Sequence, residues 1–269
     1  MKLVDVHCHI YHEMFKDSFD EVLERAKSAG VKRILLSGVN PEGNIKVLSY
    51  VKKHPEMLRA SLGIYPIDAL GIEPDGTGLP VHKGAIDLEQ QFAFIRDNLS
   101  HVTAIGEIGL DFYWVEKEKT YVQQAENFRR IIRFAKEIKK PIIIHSRKAE
   151  KECIDILEEE LPNREISVNN HCFSGKKNLV LRAAALGHYF SIPANVVKSQ
   201  QFQMMVELVD LKQLLTETDA PWLSPYADKP SEPAFVGLSI TKIAEIKKMT
   251  PEDVAAQIWQ NYVRVFGEK

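Results

Sequence analysis

Cysteine is scarce in this chain. Cys8, Cys153 and Cys172 are the only three among 269 residues, too few and too scattered for a disulfide framework, and they read as reduced thiols of a cytoplasmic protein. No apolar run approaches the ~20 residues that a membrane span needs. The N-terminus lacks the basic-then-apolar layout of a signal peptide, and low-complexity tracts and long linkers are missing. Neither sign of charge is in excess, since 35 Lys and Arg stand against 37 Asp and Glu for a formal net charge of -2. That excludes an overall cationic field for nucleic acid. A polyanionic substrate would have to be held locally, by metals and a few basic residues. A Gly-x-Gly-x-x-Gly turn after the first apolar segment is also missing, which counts against an open dinucleotide-binding sheet.

What is present is a chain with 45% hydrophobic and 27% charged residues, suited to one soluble globular domain taken as residues 1–269. Short apolar runs at Met1–Val6, Arg33–Gly38, Leu58–Ile64, Thr103–Ile108, Pro141–His145, Ile166–Asn170, His188–Ile192 and Gln213–Asp219 read as strands. Helical spacing separates them. Phe19, Val22, Leu23 and Ala26 recur after a Ser18 cap and stop at Gly30. Pro41 opens a helix carrying Ile45, Leu48 and Val51, and others are expected over Asp87–Asn98, Thr120–Lys140, Ala149–Leu161, Asn178–Leu186 and Gln201–Leu208. The stripe of the Thr120 helix is Val122, Ala125, Phe128, Ile132 and Ala135, and its Arg129, Arg130 and Arg133 read as a solvated face rather than a nucleic-acid patch. Two closing helices follow, the last capped by Thr250 before Pro251. Ile67–Ala85, with four glycines and two prolines, reads as a long loop. Repeated strand–helix units with obligatory crossovers fit a closed (β/α)8 TIM barrel in about 250 residues.

In such a barrel the chemistry sits at the C-terminal ends of the strands. Those ends carry His7 and His9, then Glu107, His145, His171 and Asp219. Any one of them is commonplace, but six metal-competent side chains converging on one rim are not. Together they exceed what one tetrahedral ion requires. His7, His9 and Asp219 would hold one divalent ion, His145 and His171 a second, and Glu107 would bridge. Imidazole suits zinc, while oxygen ligands also accept manganese or magnesium. Asp219 also has an oxygen to spare as proton acceptor, which makes it, with Glu107, the catalytic pair.

These residues lie in motifs that resemble the TatD family of metal-dependent deoxyribonucleases, within the amidohydrolase-like metal-dependent hydrolases. The motifs are Asp5-Val6-His7-Cys8-His9, Gly106-Glu107-Ile108-Gly109-Leu110-Asp111, Pro141 to Arg147, His171-Cys172-Phe173-Ser174-Gly175 and Glu217 to Leu223, with Asn261, Arg264 and Phe266 near the C-terminus. The resemblance spans the chain. It implies a TIM barrel, two divalent ions, ligand roles for the six residues above, and hydrolysis of DNA phosphodiesters, exonucleolytic on single strands, by metal-activated hydroxide.

Some positions depart from the family. Tyr65 stands in Gly63-Ile64-Tyr65-Pro66 where the family has His; a phenol is neither base nor cation at pH 7, so Tyr65 either donates to a substrate oxygen, stacks on a base, or packs as a loop aromatic. Lys148 follows His145-Ser146-Arg147 where an acidic residue is usual, and Lys229-Pro230-Ser231-Glu232-Pro233 keeps Glu-Pro but loses an arginine. Gly71–Ala85 is longer than the family leads one to expect. Phosphate contacts would fall to Arg147, Lys148, Lys176 and Lys177, with the lysines also readable as ordinary surface charge. Cys172 is expected to turn away from the rim as a small packed residue. The reading implies a DNA partner, no membrane, no organic cofactor and a monomer. Its rivals are a dinuclear hydrolase of a carboxyl ester or amide, such as an ester joining an amino acid to RNA, and a metal-retaining scaffold without turnover.

Overall fold

Each apolar run forms a strand of one parallel sheet in the computed structural model, which describes residues 1–72 and 77–268. The strands are β1 (Leu3–Cys8), β2 (Val31–Ser37), β3 (Leu58–Leu62), β4 (Val102–Gly109), β5 (Ile142–His145), β6 (Val168–Asn170), β7 (Tyr189–Pro193) and β8 (Leu214–Glu217). Each pairs with the next in sequence order. The eighth returns to the first: the Asp219 N–H donates to the His7 carbonyl at 3.0 Å, the His9 N–H to the Ala220 carbonyl at 2.8 Å, and the Thr216 hydroxyl to the Val4 carbonyl at 2.6 Å. The sheet thus curls into the expected (β/α)8 TIM barrel.

Between and after the strands run α1 (Phe19–Ser28), α2 (Pro41–Lys53), α3 (Leu88–Asp97), α4 (Lys117–Glu137), α5 (Glu150–Glu160), α6 (Lys177–Ala185), α7 (Gln200–Leu208), α8 (Val236–Lys247) and α9 (Pro251–Phe266). Asn40, Asp87 and Thr250 accept backbone N–H bonds as N-caps, whereas Ser18 precedes α1 without a capping bond. Asn261 on α9 donates to the Leu211 and Leu214 carbonyls, both at 2.7 Å, and so clamps the closing helix to the start of β8. Among the described residues no helix is long and apolar enough to cross a membrane. Part of the loop expected over Ile67–Ala85, residues 73–76, lies outside the described residues; a short helical turn at Asp68–Leu70 occupies its start.

The stripe expected on α4 is displaced. Val122 is 82% exposed, and Gln124 is buried beside Ala125, Phe128, Ile132 and Ala135. Gln124 is inside because its amide brackets the backbone of Asp111, accepting from its N–H at 2.8 Å and donating to its carbonyl at 2.9 Å. Arg129 and Arg133 both pair with Glu160 on α5, and Arg130 pairs with Glu89 on α3, so this basic face joins helices. The barrel interior is more polar than its strands suggest. Asn169 donates to Ser191 at 3.0 Å and Ser191 to Glu217 at 2.5 Å, a chain of bonds across β6, β7 and β8.

His188 enters β7 buried. Burial lowers its pKa from 6.5 to about 4, with Arg164 adding to the effect. A histidine held neutral in the fold but free to protonate when unfolded stabilises the protein above the unfolded pKa and loses that contribution as pH falls towards the folded one. Stability is therefore expected to drop between about pH 6.5 and 4 by up to about 3 kcal/mol from this residue. Denaturant titrations of His188→Gln should show a shallower acid slope than the parent; parallel slopes would contradict it.

Candidate metal centre

Barrel topology brings the sequence-predicted residues to one rim. His7 lies in β1 and His9 in the loop beyond it, Glu107 lies in β4, His145 ends β5, His171 follows β6, and Asp219 stands two residues past β8. Asp5 keeps the first and last of these in register. Its carboxylate accepts from the His7 N–H at 3.2 Å, the Thr218 N–H at 3.1 Å and the Thr218 hydroxyl at 2.5 Å. Burial pushes the Asp5 pKa up to about 7. The Ser37 hydroxyl, 3.0 Å from His7 Nδ1, sets the other edge of that ring, so His7 Nε2 faces the centre.

Glu107 is central. Its Oε1 lies 2.6 Å from His145 Nδ1 and 3.1 Å from His171 Nε2, while its Oε2 lies 3.5 Å from His7 Nε2 and 3.6 Å from His9 Nε2. Asp219 Oδ1 is 3.5 Å from both His7 and His9 Nε2, which are themselves only 3.1 Å apart. Two imidazole nitrogens and two carboxylate oxygens thus converge from different strands on one small volume. Such a donor set fits a divalent cation: His7, His9 and Asp219 form one group of mutually close ligand atoms, and His7, Glu107 and His171 another.

Charge in this cluster is strongly coupled. Burial opposes ionisation of Glu107, yet His171 and His145 hold its carboxyl well below the usual carboxylate range. Burial likewise opposes ionisation of Asp219, and bonds to His7 and His9 overcome it. At the histidines burial resists protonation. The facing groups prevail at His7 (Asp219 and Glu107), His145 (Glu107 and Asp111) and His171 (Cys172 and Glu107), raising their pKa values, while burial prevails at His9. Two buried anions are thus poised for compensating positive charge, as protons or as metal.

Asp111 and Glu217, to which the sequence assigns no role, complete the site together with Tyr65 and Cys172. Asp111 Oδ2 lies 2.8 Å from His145 Nε2 and accepts the Tyr65 hydroxyl at 2.7 Å, and its Oδ1 accepts the N–H groups of Tyr113 and Trp114. Its presence in the Gly106–Asp111 motif was the available signal. Tyr65, expected to offer its hydroxyl or ring to substrate, spends the hydroxyl on Asp111, although the ring still lines the cavity. Cys172 requires correction. Strand β6 ends at Asn170 and Cys172 adopts a left-handed φ of 44°, so strict alternation fails and its Sγ lies 3.9 Å from Asp219 Oδ2, on the cavity wall. Glu217, buried, accepts the Cys172 N–H at 2.9 Å and so fixes that turn.

The cavity above the centre encloses about 730 Å³. Arg147 lines it, whereas the exposed Lys148 and Lys176 stand outside its lining; Lys176 caps α6, and Lys148 lies over the Tyr113 ring at 5.1 Å. Glu232 of the strand-eight loop, a motif residue, accepts from Arg25 of α1 at 2.7 Å and serves to anchor that loop.

Such a rim on such a barrel is the arrangement that a metal-dependent hydrolase requires. A family model described as TatD related DNase matches residues 4–267. The chain is 35% identical over 269 residues to the uncharacterized metal-dependent hydrolase MJ1582 of Methanocaldococcus jannaschii, covering 100% of this chain and 98% of the relative. It is 29% identical over 266 residues to the human protein named deoxyribonuclease TATDN3, covering 98% and 94% of the two chains. The solved structure of YJJV, a TatD homolog from Escherichia coli K12, shares the fold with a TM-score of 0.84 at 24% identity, over 99% of this chain and 98% of that one. The chain belongs to the TatD-related DNase family.

Glycine at position 63 is dictated by the centre. A side chain there would run into the backbone of Glu107 and Gly38, which cannot swing away. Gly63→Ala is expected to cost about 1–3 kcal/mol in denaturant melts through overpacking, and an unchanged midpoint would contradict this packing.

Proposed function

We propose that the chain is a deoxyribonuclease that hydrolyses phosphodiester bonds of single-stranded DNA from an end, using two divalent ions, zinc, manganese or magnesium. The observation that carries this reading is the division of labour within Glu107. One oxygen faces His145 and His171 and the other faces His7 and His9. His7, His9 and Asp219 would hold the first ion, His145 and His171 the second, with Glu107 between them. A pair of such ions supplies Lewis acidity towards a phosphoryl oxygen and makes water a nucleophile at neutral pH.

The chain's own residues do the rest. Asp219, ionised, directs Oδ1 to the two histidines and leaves Oδ2 on the Cys172 side, where it takes the proton of the attacking water. Asp111 fixes the plane of His145, and Ser37 that of His7. Arg147, on the cavity wall, offers a planar fork to a phosphate, a geometry that lysine lacks. The name of the human relative supports DNA as substrate. The free thiols of Cys8, Cys153 and Cys172 support a cytoplasmic home, and the whole chain is read as one monomeric hydrolase domain.

The deciding assay sets metal-reconstituted protein on end-labelled single-stranded DNA beside a panel of carboxyl esters, amides and lactones, with and without chelator. Stepwise loss of terminal nucleotides, abolished by chelator and lowered about a hundredfold or more by Asp219→Asn, is expected. Acyl release without DNA cleavage would replace this reading with the ester hydrolase, and no turnover at all on either panel would favour the scaffold. Elemental analysis of Glu107→Ala should show metal falling from about two ions per chain to below one; two ions retained would refute the bridge.

A further inference from the structure

The turn between β4 and α4 carries two large aromatic side chains, Tyr113 and Trp114, the second of which lines the cavity. Tyr113 is 46% exposed and Trp114 is 49% exposed, and Trp114 lines the same cavity as Glu107, His145 and Asp219. Their rings meet edge to face, with centroids 5.0 Å apart and planes at 88°, so they do not stack on one another. Trp114 thus presents open indole surface inside the cavity.

The neighbouring cation is equally uncommitted. Arg147 lays its guanidinium 3.5 Å above the Tyr113 ring and 5.7 Å from that of Trp114. Arg129, Arg133 and Arg182 are each paired with carboxylates, but among the described residues Arg147 has no carboxylate partner. Stacking on Tyr113 holds the guanidinium plane while leaving its N–H donors free.

The turn is also indexed to the reacting centre. Asp111 Oδ1 accepts the N–H groups of Tyr113 at 2.7 Å and Trp114 at 3.1 Å, and Asp111 Oδ2 lies 2.8 Å from His145 Nε2. One carboxylate therefore fixes both a ring of the metal centre and the aromatic turn.

We infer that Tyr113 and Trp114, with Arg147, form a nucleobase platform for single-stranded nucleic acid. The base of the nucleotide flanking the cleaved bond stacks on the Trp114 indole, and Arg147 holds an adjacent phosphate. The inference rests on the phosphodiesterase reading and adds to it a subsite that grips bases through their faces, without regard to sequence. The open aromatic face beside an unpaired guanidinium is the chemistry that a base-plus-phosphate unit requires, and it is supplied locally in a chain whose formal net charge is -2.

The test measures binding with chelator present, so that nothing is cut. Dissociation constants are taken for a short oligothymidylate and for an abasic deoxyribose-phosphate polymer of equal length, with the parent, Trp114→Ala and Trp114→Phe. Trp114→Ala is expected to weaken oligothymidylate binding about tenfold while changing abasic-polymer binding less than about twofold, and Trp114→Phe is expected to restore most of the loss. Parent-like binding of oligothymidylate by Trp114→Ala, equal weakening on both polymers, or a parent that prefers neither polymer would overturn the platform. A metal-loaded parent that leaves DNA uncut would instead defeat the phosphodiesterase reading, whatever the binding results.

Discussion

A single buried carboxylate, Glu107, sets the terms for the rest of the molecule. It is ionised among four imidazoles, from β1, β5 and the loops after β1 and β6, in a place where an unmatched charge would be prohibitively costly. Its neighbours follow from that. Gly63 has no side chain because the Glu107 backbone fills that space. Gly109, at a φ of 144°, lets β4 press against the carbonyl of His145. Asp5 and Thr218 lock β1 to β8 so that His7, His9 and Asp219 arrive on the same side of Glu107. Closing the barrel and assembling the centre are thus one event, because the bonds between the His7–His9 and Asp219–Ala220 backbones do both.

Much of this is legible in the amino-acid sequence. In a parallel barrel every strand ends on the same rim, so polar residues that terminate apolar runs are brought together by topology alone. That is why His7, His9, Glu107, His145, His171 and Asp219, scattered over most of the sequence, could be picked out by reading strand ends. The strands themselves are readable where consecutive residues are apolar, as at Ile142–Ile144 in β5 and Ile34–Leu36 in β2, and so face apolar surroundings on both sides.

What escaped the sequence depends on backbone conformation and on second partners. Cys172 and Asp219 sit at left-handed φ values of 44° and 53°, and alternation along a strand says nothing about a residue that has left the strand. Gln124 takes an inner position on α4 that hydrophobic spacing assigned elsewhere, because its amide meets Asp111. Tyr65 directs its hydroxyl to Asp111, a partner that the sequence does not disclose. Asp111 is the common thread: it couples the His145 ring, the Tyr65 hydroxyl and the aromatic turn after β4.

The most direct measurement is anomalous diffraction from crystals of the protein loaded with manganese or zinc. Two peaks flanking Glu107 are predicted, one among His7, His9 and Asp219 and one between His145 and His171. A single peak, or peaks that leave Glu107 uncoordinated, would contradict the account.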